Sequence, residues 1–183
     1  FSGTCSIAVG GSIVITGAVV WSSGTLSITG SNGDIDINGG SLTINGGTVQ
    51  AVDGNDGDVD VISGSITIAA GAKLLVEESI QVFNGASITV GGSLRSQDSF
   101  IDIDAGGTIT VSATGTIQSS STGGNEDILI QGTLINNGTV DSDEDIIVSA
   151  TGVITNSSSG TLQADDDIDI NGSVTNAGVI DSN

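Results

Sequence analysis

From residue 12 onward the chain alternates apolar and polar positions in short stretches, and the alternation keeps returning. SIVI (12–15), DIDI (34–37), DVDV (58–61), SIQV (79–82), FIDI (100–103), DILI (127–130), DIIV (145–148) and DIDI (167–170) open eight repeats. They recur roughly every 21 residues, a period in the range of solenoid repeats. Each repeat divides again into three stretches with Gly or Asn between them: DIDI, SLTI and TVQA in the second, DVDV, SITI and KLLV in the third. Alternation with period two predicts strands with one buried face. Gly and Asn supply the positive φ that sharp corners need. Helix is excluded by the period and by the prevalence of Gly, Ser, Thr and β-branched residues.

Aligned repeats give columns. The inward positions of the first strand are Ile13/Ile15, Ile35/Ile37, Val59/Val61, Ile80/Val82, Ile101/Ile103, Ile128/Ile130, Ile146/Val148 and Ile168/Ile170. All are Ile or Val, as expected where like side chains stack about 4.8 Å apart. The second strand gives Val19/Trp21, Leu42/Ile44, Ile66/Ile68, Ile88/Val90 and Ile109/Val111, then Leu134/Asn136, Ile154/Asn156 and Val174/Asn176. Asn136, Asn156 and Asn176 in one slot predict a ladder of amides, each bonding the next coil. The third strand is smaller inside: Val49/Ala51, Leu94/Ser96, Ile117/Ser119 and Leu162/Ala164.

This pattern resembles the parallel β-helix, or β-solenoid, of secreted bacterial surface proteins: autotransporter passengers, filamentous-haemagglutinin-like adhesins and pectate-lyase-like enzymes. The resemblance covers residues 12–183 and carries no family-specific motif. The expected fold is all-β: a single parallel β-helix with three short strands per coil and about eight coils. Variable repeat length favours a right-handed winding. Residues 1–11 form a separate extended segment before the solenoid domain of residues 12–183.

Composition fits a thin, repetitive core. Hydrophobic residues make up 37% of the 183, but aromatics only 2%. An acidic, Gly- and Ser-rich chain invites a reading of disorder, which the regular spacing of Ile and Val overrides. With 22 acids against 2 bases the net charge is −20. That charge argues against nucleic acid or anionic membrane as partners, and no stretch has transmembrane length. The first residue is Phe1 rather than Met, as in a processed, secreted chain. A single cysteine, Cys5, cannot close an internal disulfide.

Two outer faces suggest chemistry. The first strand presents Asp34/Asp36, Asp58/Asp60, Asp102, Asp127, Asp145 and Asp167/Asp169 to solvent, with acidic corners before it. Carboxylates 4.8 Å apart repel by about 1 kcal/mol in water. Such a ladder is either a solvated edge that maintains solubility or a place for divalent cations. Ca²⁺, an oxygen-seeking ion, would draw on Asp53, Asn55, Asp56 and Asp58 at one corner and on Asp141, Asp143 and Asp145 at another. The second strand presents Ser41/Thr43, Ser65/Thr67, Ser87/Thr89, Thr108/Thr110, Thr133, Thr155 and Ser173/Thr175, with Ala18/Val20, Ile135 and Val153 interrupting the hydroxyls. This face resembles the ice-binding surface of β-solenoid antifreeze proteins, although Thr also simply suits exposed strands.

Catalysis finds little footing. There is no His, and the only bases are Lys73 and Arg95. Paired acids such as Asp58/Asp60 have the chemistry to cleave a neutral glycan, but no aromatic platform accompanies them, and Cys5 lacks a neighbouring base. The expectation is a protein that is not an enzyme.

The ends complete the reading. No capping helix precedes the first coil, and no polar cap follows the last, DIDINGSVTNAGVIDSN. Open solenoid ends invite another subunit. The expectation is a secreted, self-assembling homopolymer joined head to tail, with Phe1, Cys5, Ile7 and Val9 docking on the coil that carries Asn176, Val179 and Ile180. Alternatively, residues 1–11 cover their own first coil. The rival functions are ice binding and glycan binding or cleavage.

Overall fold

The computed structural model describes residues 12–30, 33–52, 57–120 and 127–183. Among them every element is a strand, and every pairing is parallel. The strands stack in three columns. The first two share a 14-stranded sheet and the third forms an 8-stranded sheet. Eight rungs, from Thr25–Ile28 to Val179–Ser182 in the third column, span about seven turns. The chain is therefore a parallel β-solenoid.

Register places like on like. Ile35 stacks on Val59, Val59 on Ile80, and Ile80 on Ile101. Leu42, Ile66, Ile88 and Ile109 form one line of the second column. The inward side chains of the middle rungs are fully buried and make one continuous core. Each buried Ile or Val contributes on the order of 2 kcal/mol. The small inward residues of the third column also have a use. Ser96, Ser119 and Ser142 are completely buried, and their hydroxyls donate to corner carbonyls: Ser96 and Ser119 to Ser99 at 2.8 and 2.9 Å, Ser142 to Asp145 at 3.0 Å.

Two rungs depart from three separate strands. Ile35–Ile44 and Val59–Ile68 each run unbroken for 10 residues through the first corner. The pair stays hydrogen-bonded across a bulge near Asn38 and Gly40. Glycine permits the bend: Gly64 has φ +104°, and a Cβ there would run into the carbonyl of Gly40 below. No helix among the described residues is long and apolar enough to cross a membrane.

Candidate functional site

The aspartates that open the repeats do not all face water. Asp34, Asp58, Asp127, Asp145 and Asp167 each sit one residue before the first strand, where a carboxylate can reach the backbone of the next coil. Asp34 accepts from the N–H of Asp58 (3.3 Å), and Asp58 accepts from the N–H and hydroxyl of Ser79 (2.8 and 2.7 Å). Asp127 accepts from the N–H of Asp145 (3.3 Å), and Asp145 from that of Asp167 (2.8 Å). This corrects the reading of these residues as a purely solvent-facing ladder. The carboxylates of Asp34, Asp58, Asp127 and Asp145 close corner hydrogen bonds, and charged acceptors make the stronger ones.

The outward column within the strand is also less acidic than alternation suggests. In register it reads Val14, Asp36, Asp60, Gln81, Asp102, Leu129, Ile147 and Asp169. Only Asp36 and Asp60 are acids in adjacent rungs. Partial burial pushes the Asp60 carboxyl up to about 6, helped by the charges of Asp58, Asp36 and Asp34. Asp102 is raised too, by burial and then by Asp104, while a hydrogen bond from Gln131 pulls the other way. Its Oδ1 is buried without a hydrogen-bond partner. Asp141 is raised by burial, Asp143 and Asp165.

The two metal sets fare differently. Asp53, Asn55 and Asp56 lie outside the described residues, and Asp58 already uses its carboxylate on Ser79. Asp141, Asp143 and Asp145 do not form a metal-holding cluster: among the described residues no group of three or more His, Cys, Asp or Glu could hold an ion. Asp145 is turned to the N–H of Asp167.

The hydroxyl face is aligned as its sequence predicts. Thr43, Thr67, Thr89 and Thr110 stack in consecutive rungs, beside Ser41, Ser65, Ser87 and Thr108. Val20 begins the Thr line, and Ile135 interrupts it beyond Thr110.

The amide ladder forms with a fixed polarity. Asn136 and Asn156 are buried. The Nδ2 of Asn136 donates to Asn156 Oδ1 (2.9 Å) and to the Thr161 carbonyl (2.9 Å). That of Asn156 donates to Asn176 Oδ1 (2.8 Å), Val179 O (3.0 Å) and Gly160 O (3.2 Å). Every donor thus points toward the C-terminal end. Asn176 is exposed and turns its own Nδ2 onto Gly178 O at 3.3 Å.

The two ends differ. In the first rung Ile15, Trp21 and Ile28 are 7%, 4% and 0% exposed. Their counterparts in the last rung, Ile170, Asn176 and Ser182, are all exposed, Ile170 by 48%. Val179 is 53% exposed, while Ile180 remains half-buried against the core. The inward positions of this coil are thus less buried than their counterparts in the middle rungs. Phe1, Cys5, Ile7 and Val9, the expected docking residues, lie outside the described residues. The first rung also holds a cavity of about 400 Å³, which the described residues line with apolar side chains such as Ile13, Val19, Trp21 and Leu26.

No protein-family model matches the chain, and no curated relative matches it. Among solved structures it is similar to a hyper-glycosylated TibA fragment, the product of TibC, at 19% identity. That match covers 98% of this chain and 84% of the other with a TM-score of 0.26. At such a score the likeness says nothing of function, and the solenoid rests on the strand register alone.

Proposed function

We propose that the chain is a structural subunit of an extracellular filament or surface fibre that assembles head to tail through the ends of its solenoid. The observation that carries this reading is the unbroken parallel stacking: in all three columns like rungs repeat in register, so the ladder hydrogen bonds run along one axis. An unpaired parallel edge is a template for another strand. The contact is heterologous, so it propagates unless it closes. The role is mechanical, with hydrogen bonds running along the fibre axis, and the N-terminal segment with Phe1, Ile7 and Val9 contributes a docking strand. The acidic surface limits lateral clumping and responds to divalent cations. Electron microscopy of concentrated protein tests the proposal: filaments are expected, and a field of monomers alone would sink it. Identical melting with and without chelator would remove the cation response.

One observation favours a second reading. The four threonines Thr43, Thr67, Thr89 and Thr110 stack in register in consecutive rungs, the regular spacing that an ice-binding face requires. Thermal hysteresis that disappears on Thr67→Tyr would establish it, and its absence in the unmodified protein would exclude it.

A further inference from the structure

The acids of this chain keep to one part of each coil. From the second rung to the seventh, the second strand, the corner after it and the first residue of the third strand contain no Asp or Glu: residues 41–48, 65–73, 87–93, 108–116, 133–139 and 153–161. All 22 acids fall elsewhere. The described ones sit on first strands, at the corners beside them or late in third strands, as Asp36, Glu77, Asp104 and Asp141 do. Register stacks the acid-free runs on one another. Among the described residues, one side of a molecule with net charge −20 therefore carries no negative side chain along six rungs. The one charge within these runs is Lys73, a base. The strip bears the hydroxyl columns and two exposed aliphatics, Ile135 at 37% and Val153 at 39%. These lie diagonally in adjacent rungs, since Thr133 pairs with Val153 and Ile135 with Thr155.

We propose that this acid-free strip is a lateral interface on which a second copy of the chain docks, strip against strip, about a two-fold axis parallel to the solenoid axis. The pairing uses neither end of the stack and stands apart from the filament reading. Charge names the occupant. Two copies approaching by any other side bring carboxylates together, where like charges repel most, whereas the strips meet hydroxyl to hydroxyl and aliphatic to aliphatic. Size agrees. Six rungs about 4.8 Å apart make a strip roughly 29 Å long, and a four-residue strand with its corner is about 20 Å wide. Two such strips cover on the order of 1,000 Å² in total, at the lower end for a specific interface.

The aliphatic pair selects the direction. With the axes parallel, each rung faces its own copy, so Ile135 and Val153 cover Ile135 and Val153. With the axes antiparallel, the rung of Ile135 faces the rung of Thr67 and both aliphatics stay against hydroxyls. The contact is isologous and closes at two copies. The outer sides of the pair then carry all the acids, so association stops at the pair and does not run on into bundles.

Sedimentation velocity over a concentration series of the full chain tests the interface. A reversible pair is expected, and any filaments should have the mass per length of two stacks. Thr89→Glu places an acid at an exposed position in the middle of the strip. It should raise the dissociation constant of the pair at least about tenfold, which is 1.4 kcal/mol. Gln81→Glu adds the same charge on the outward column of the first strand and should leave pairing unchanged. In a chain carrying Cys5→Ser, Ile135→Cys should cross-link to itself with a short bifunctional reagent. Cross-links formed only between a mixture of Ile135→Cys and Thr67→Cys chains would overturn the parallel arrangement. Monomers at every concentration, or filaments with the mass per length of one stack, would overturn the interface, and the second result would leave the filament reading standing. Pairing that tolerates Thr89→Glu and is lost on Gln81→Glu would overturn it as well. Thermal hysteresis from a chain that stays monomeric would assign the strip to ice and overturn the pairing.

Discussion

Asn156 is the middle member of the amide ladder, and a one-atom change there tests the ladder directly. Asn156→Asp keeps the shape but replaces the donor group with oxygen. That oxygen would face Asn176 Oδ1, Val179 O and Gly160 O, which the native amide meets at 2.8, 3.0 and 3.2 Å. The bond accepted from Asn136 survives. The loss is two donated bonds at about 1 kcal/mol each, plus several kcal/mol for a buried carboxylate among acceptors. A total of about 5 kcal/mol at pH 7 is expected. Asn156→Ala loses the bonds on both sides but buries no charge, and should cost about 3 kcal/mol. The two variants also differ in pH dependence. The introduced carboxyl has a native pKa above its unfolded value, so the native state holds more protons between the two. Its penalty is full above the native pKa and shrinks as pH falls toward the unfolded value, whereas the alanine penalty stays flat. Urea denaturation followed by circular dichroism at pH 7 and pH 4.5 measures both. Amide exchange over residues 153–182 shows whether the end rungs open on their own, since a solenoid need not unfold as one unit. Equal costs for the two variants at both pH values would refute the assigned direction of the ladder.

Asp60 is protonated more readily in the folded chain, its carboxyl raised to about 6, so stability falls as pH rises from about 4 to 6. Asp60→Asn should raise the melting temperature at pH 7 and flatten that fall. Gly64→Ala forces a side chain into φ +104° and against the Gly40 carbonyl, and a loss of at least about 2 kcal/mol in chemical denaturation is expected. Asp58→Ala removes the acceptor of two bonds to Ser79 and should cost about 2 kcal/mol, read as a lowered denaturation midpoint.

Much of this architecture was legible because stacked columns constrain every coil alike. Ile or Val at each inward slot of the first strand, and Asn136, Asn156 and Asn176 in one line, follow from alternation and period alone, and the register places them so. What alternation does not convey is corner geometry. Asp58 lies on the solvent side of an alternating stretch, yet it sits before the strand proper, where its carboxylate curls onto the backbone of Ser79. The fusion of two strands into Val59–Ile68 depends on φ at Gly64, which letters do not reveal. The apolar exterior of the first rung was visible as Val14, Ala18 and Val20, but it acquires meaning only beside Asp36 and Thr43 in the same columns.

The stacking also governs how the molecule comes into being. The side-chain bonds between neighbouring coils join residues about a single circuit apart, as from Asn156 to Asn176 or from Ser79 to Asp58. No layer has to await a partner from the far terminus, so ring closure costs the same modest entropy at every step. A polypeptide delivered gradually, one terminus leading, can deposit each layer on the last as it emerges, with growth rather than search setting the pace.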